Sequence, residues 1–136
     1  MKILTMLFVV LVSVGCAQVT IKELEEVGVR RSWVLGGDYQ KIGYCLVQWL
    51  EREDPGAGIA LGIGHSIHYR NFPTENKVEI SQRPGGTAIF WVLTLTSSEQ
   101  GATDAHILVE PYTPGWKLKA LRPGLELCAS SVKQTS

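Results

Sequence analysis

The sequence predicts an all-β domain, built either as an antiparallel sandwich of two sheets or as a closed barrel, on three observations. Beyond position 18 the apolar residues come in short runs bounded by Gly, Pro, Asn and Ser, the pattern of strands and turns. The 136 residues, 45% of them hydrophobic, suffice for one sizeable core and not for two. TAIFWVLTLTSS at 87–98 alternates cleanly and places Ile89, Trp91, Leu93 and Leu95 on one face.

The chain opens with MKILTMLFVVLVSVGCAQ: Lys2, an apolar or small run from Ile3 to Val14, then small residues before Gln18. This is the pattern of a secretory signal peptide over 1–17, cleaved after Ala17, and it is short for a membrane span. Cys16 after Gly15 offers an alternative, the lipid-bearing cysteine of a bacterial envelope protein. Without Lys2, 12 basic residues face 13 acidic ones, so no electrostatic footprint for nucleic acid or an anionic membrane exists. Cys45 and Cys128 remain, an even pair compatible with one disulfide in a secreted protein or with two thiols.

Taken in order, Val19 to Leu24 alternates, although Glu23, Glu25 and Glu26 leave Val19 to Val27 open to a helix. Val29 to Leu35 reads as a strand ended by Gly36-Gly37. Cys45 to Glu51 reads as another, with Leu46, Gln48 and Leu50 on one side and Val47 and Trp49 on the other. Ile59 to Ile63 and a short Ser66 to Tyr69 follow. NKVEIS at 76–81 points Val78 and Ile80 inward, and RPGG at 83–86 supplies a tight turn. DAHILVE at 104–110 and GWKLKAL at 115–121 complete the alternating runs. Roughly eight or nine short strands at this spacing make a sandwich or barrel.

Trp49 followed by the polar run and Pro-Gly turn of WLEREDPGAG, then KVEIS at 77–81, then LTLTSSEQGATDA at 93–105, stand in the order of strands C, D and E of one known family. Over about half of the mature chain the sequence resembles an immunoglobulin variable-type domain, of heavy-chain or T-cell-receptor type, without the usual intersheet cysteine pair. At the positions of those cysteines stand Ser32 or Trp33 and His106 or Leu108. The resemblance implies an immunoglobulin-like sandwich over 18–122 with a tail at 123–136. Trp49, Trp91, Leu93 and Leu95 form its core, and Trp33 packs against Leu108 in place of the missing bridge. It further implies recognition of an antigen or protein ligand through loops carrying Tyr39, Tyr44, His65, His68, Tyr69, Tyr112 and Trp116. Gln48 faces a possible second variable-like domain.

Catalytic chemistry is not written in the chain. There is no Gly-x-Ser-x-Gly elbow, phosphate loop or dinucleotide fingerprint. His65 and His68, three apart, go to opposite faces of a strand and have no acidic or cysteine ligand at metal-site spacing. Glu51, Glu53 and Asp54 surround Arg52 at a solvated strand end. The expectation is a secreted, extracellular or cell-surface-associated recognition domain that is not an enzyme and needs no cofactor, metal or nucleic acid. The alternative is a calycin-like barrel carrying a small apolar ligand, lined by Trp33, Trp49, Phe90 or Trp91 and Leu93.

Overall fold

A computed structural model of the chain describes residues 21–53, 66–83, 91–111 and 114–135. The elements in order are α1 (Ile21–Val27), β1 (Val29–Gly36), α2 (Tyr39–Glu53), β2 (Ser66–Phe72), β3 (Lys77–Arg83), β4 (Trp91–Ser97), β5 (Ala102–Val109), α3 (Pro114–Cys128) and β6 (Val132–Gln134). The six strands are all antiparallel and make one open sheet in the order β2-β3-β4-β5-β1-β6. The protein is therefore β-rich and antiparallel, as its alternating runs require.

Its second layer is helical, which corrects the reading of Cys45 to Glu51 and GWKLKAL as strands. Among the described residues no second sheet faces the first, and β2 and β6 end the sheet without closing it into a barrel. The 122/123 boundary falls inside α3, and 123–136 brings buried Leu125 and Ala129 to the core. Ile59 to Ile63, Ile89, Phe90 and the RPGG turn beyond Arg83 lie outside the described residues, as does the 1–17 leader.

The helix-facing side of the sheet carries Trp33 and Leu35 of β1, Val78 and Ile80 of β3, Trp91, Leu93 and Leu95 of β4, and Ala105, Ile107 and Val109 of β5, all buried. Onto it α2 lays Tyr39, Ile42, Leu46 and Leu50, spaced three or four apart as one helical stripe demands. From α3 come Leu121 and Leu125. Each fully buried leucine of this core contributes about 1.5–3 kcal/mol relative to its exposed state.

The start of α2 is fixed by three contacts. Gly37 turns the chain with φ +123°, a conformation that favours glycine. Asp38 caps the helix, its carboxylate accepting from the backbone N–H of Gln40 at 3.1 Å and of Lys41 at 3.0 Å. Buried Thr103 donates its hydroxyl to the Gly37 carbonyl at 2.8 Å and ties the turn to β5.

The other face of the sheet is polar over most of its area, as an antiparallel sheet allows. One row reads Arg70, Glu79, Thr94, His106 and Ser32 across five strands, with Arg70 4.0 Å from Glu79 and the Ser32 hydroxyl 2.7 Å from His106 Nδ1. At one end α1 covers this face by burying Leu24 against Val92 and Leu108. Trp33 and Leu108 therefore sit on opposite faces of the sheet, and the contact expected between them does not form.

The C-terminus is part of this frame. The N–H and carbonyl of Gly36 bond to the Ser131 carbonyl and the Ser130 N–H, both at 2.9 Å, and the N–H of Thr135 bonds to the Ser32 carbonyl at 3.0 Å. These bonds hold β6 along β1 and close the edge beside α3.

Candidate functional site

Where β1, β6 and α3 meet, a cleft of about 200 Å³ opens, lined by Arg31, Trp33, Lys119, Arg122 and Gln134. The sheet pleat positions half of it. Arg31 and Trp33 are two apart on β1 and so share the helix-facing side, and Gln134 of β6 stands directly across from Trp33. Helical spacing positions the rest, since Lys119 and Arg122 are three apart on α3 and lie on neighbouring turns. Pro123 follows immediately and lacks the N–H that would bond to the Lys119 carbonyl.

Trp33 lines the cleft and is 8% exposed. Indole nitrogen is a donor only, and among the described residues the Trp33 N–H has no acceptor. The indole of Trp91, by contrast, donates to the side-chain carbonyl of Gln82 at 2.7 Å in the core.

The rim is cationic. Arg122 Nε donates to Glu126 at 2.8 Å, an exposed i,i+4 pair that contributes little to stability. Arg31 donates from one terminal nitrogen to the Arg30 carbonyl at 2.8 Å. Lys119 is exposed and has no acidic partner among the described residues. Among the described residues three cations thus line the cleft, with Glu126 paired to one of them, and an anion entering it meets charge, an indole and an amide together.

No known protein family, curated protein or solved structure matches the chain. Function therefore has to be argued from these side chains.

Of the residues expected to form a loop-borne surface, those described lie on helices and strands and not on loops. Tyr39 is buried at the start of α2, and Tyr44 lies on the same helix, 62% exposed. Tyr69 and His68 are on β2, pointing to opposite faces, with the Tyr69 ring against Gly43 of α2. Burial, and secondly the neighbouring Tyr39 phenol, hold the Tyr69 phenol above its ordinary value of 10.0. Trp116 belongs to the first turns of α3, while His65 and Tyr112 lie outside the described residues. Trp91, Leu93 and Leu95 are in the core, whereas Trp49 is half-buried on α2 and packs on Gly124 of α3 instead of standing between two sheets. Gln48 is on α2, beside Trp49.

Cys45 and Cys128 form a disulfide that ties α2 to α3. Next to it is a second hollow of about 170 Å³, lined by Cys45, Gln48, Trp49, Arg52 and Leu127. Among the described residues no group of three or more His, Cys, Asp and Glu side chains is placed to hold a metal ion, and no helix is long and apolar enough to cross a membrane.

Proposed function

We propose that the protein is a secreted, non-catalytic binding protein that captures a small anion in the cleft between β1, β6 and α3. The observation that carries this reading is the placing of Arg31, Lys119 and Arg122 around one cleft with Trp33, whose indole N–H has no acceptor among the described residues. The leader-like N-terminus and the Cys45–Cys128 disulfide support secretion, because disulfides persist in oxidising compartments. The cleft's groups support binding without chemistry. Guanidinium, ammonium and indole are hydrogen-bond donors without an acceptor atom, and Glu126 is engaged with Arg122.

Capture in this reading begins with attraction of the anion by the three cations, which is screened by salt. It ends with charge-assisted hydrogen bonds from the guanidinium groups and one bond from the indole. A thermal-shift panel of acetate, benzoate, sulfate and phosphate tests it. At least one of these raises the melting temperature by mass action, and the rise disappears in the triple variant R31Q/K119Q/R122Q with its circular dichroism unchanged. A triple variant stabilised as much as the parent contradicts the reading.

A second reading, recognition of a protein partner, is favoured by Tyr44 and Leu127, 62% and 69% exposed, each one residue before a cysteine of the disulfide. Tyr44→Asp with Leu127→Asp would abolish capture of such a partner and leave anion binding intact.

A further inference from the structure

We infer that the ligand of this cleft is a small organic carboxylate on a flat, apolar body, in the manner of an aryl carboxylic acid. This rests on the reading of the cleft as the ligand site and narrows it to one chemical class. The charge on the rim demands an oxyanion. Glu126 occupies only Nε of Arg122, so both terminal nitrogens of that guanidinium are free of it, and a planar fork of donors matches a planar carboxylate.

Trp33 offers a hydrogen-bond donor and a flat surface together. Trp33 lines the cleft, and its indole N–H has no acceptor among the described residues, so a carboxylate oxygen can supply one while an unsaturated ring covers indole carbons. An inorganic anion meets the cations and leaves that apolar surface wet. The volume sets the upper limit. About 200 Å³ is below the roughly 300–1,000 Å³ of clefts that enclose drug-sized ligands, which leaves room for a single ring and not for a lipid tail. Gln134, donor and acceptor at once, stands across from Trp33 to bond a ring hydroxyl or amine.

The experiment is a titration of uniformly ¹⁵N-labelled protein with benzoate, following the indole N–H signals of the four tryptophans, that of Trp33 assigned from its loss in Trp33→Phe. The Trp33 signal shifts saturably in the direction of a hydrogen-bonded N–H, and the others move less. Benzamide, of the same shape without the charge, binds about tenfold more weakly or worse. Lys119→Met, at an exposed position that leaves the fold intact, weakens benzoate by a similar factor. A silent Trp33 signal, equal binding of benzamide, or an unchanged Lys119→Met overturns the inference. Inorganic phosphate or acetate binding as tightly as benzoate also overturns the aryl class, yet leaves the cleft an anion site. Failure of every anion tested removes both readings.

Discussion

The helix α3 separates two hollows that each contain a tryptophan, and they differ in what those tryptophans touch. On one side Trp49 packs on Gly124: a Cβ on that glycine would meet Trp49 Cε3 at 2.4 Å, Cζ3 at 2.7 Å and Leu46 Cδ1 at 2.8 Å. The disulfide lies beside it. On the other side Trp33 is more deeply buried, its N–H has no acceptor among the described residues, and Arg31, Lys119 and Arg122 line the cleft beside it. The first hollow is a packing seam, tuned to glycine and locked covalently. The second sets three cations around one cleft, a repulsion that a bound anion relieves in the proposed reading.

That contrast predicts which changes reduce stability and which reduce binding. The largest stability loss follows from Cys45→Ala with Cys128→Ala. The bridge closes a loop over a sequence separation of 83, and its removal costs about 2–5 kcal/mol by urea denaturation while the folded fraction still binds benzoate. Next is Gly124→Val. With no room for a Cβ against the Trp49 ring, the two helices must separate or the ring must turn, at about 1–3 kcal/mol. If Gly124→Val is as stable as the parent, the seam is loose and the contrast fails.

On the cleft side, Lys119→Met or Arg31→Met alters stability by no more than about 0.5 kcal/mol. The sign is toward stabilisation at low salt, because one of three neighbouring like charges is gone. Added sodium chloride then narrows the gap to the parent, since screening relieves the same repulsion. Unfolding free energies at two salt concentrations check this.

The smallest effect is at Tyr69, away from both hollows. Its phenol is held above the ordinary value of 10.0 in the folded protein, so the unfolded chain loses this proton first as pH rises. The stabilising contribution is complete below pH 10 and declines above it. Tyr69→Phe therefore flattens the alkaline fall in melting temperature and leaves neutral pH unaffected by this route.

The sheet was legible because one buried face imposes a period of two. Val78 and Ile80, then Trp91, Leu93 and Leu95, are inward as their alternation required. The helices were not, for a specific reason. Ile42, Leu46 and Leu50 are four apart, a spacing that satisfies a strand and a helix equally. Tyr39, Gly43 and Trp49 break the strand pattern, and Asp38 directly after a glycine pair is a helix cap, so the signal was present. For α3, the alternation of GWKLKAL argued for a strand, and Pro123 inside the segment disfavours a helix. The helix tolerates the proline at the loss of one N–H and gains the burial of Leu121 and Leu125.

The cleft was beyond a local reading altogether. Arg31-x-Trp33 and Lys119-x-x-Arg122 each look like ordinary surface spacing on their own. They become a site only when β6 brings Gln134 alongside β1 and α3 lies across both. Long-range pairing creates that juxtaposition, and no window of sequence contains it.

The most direct test is a crystal structure of the protein grown with benzoate. The account predicts the ring over the Trp33 indole, with a carboxylate oxygen about 3 Å from Trp33 Nε1 and the guanidinium of Arg31 or Arg122 in contact with the same group. Benzoate bound elsewhere, or the Trp33 N–H donating to an acceptor supplied by the protein itself, would contradict it.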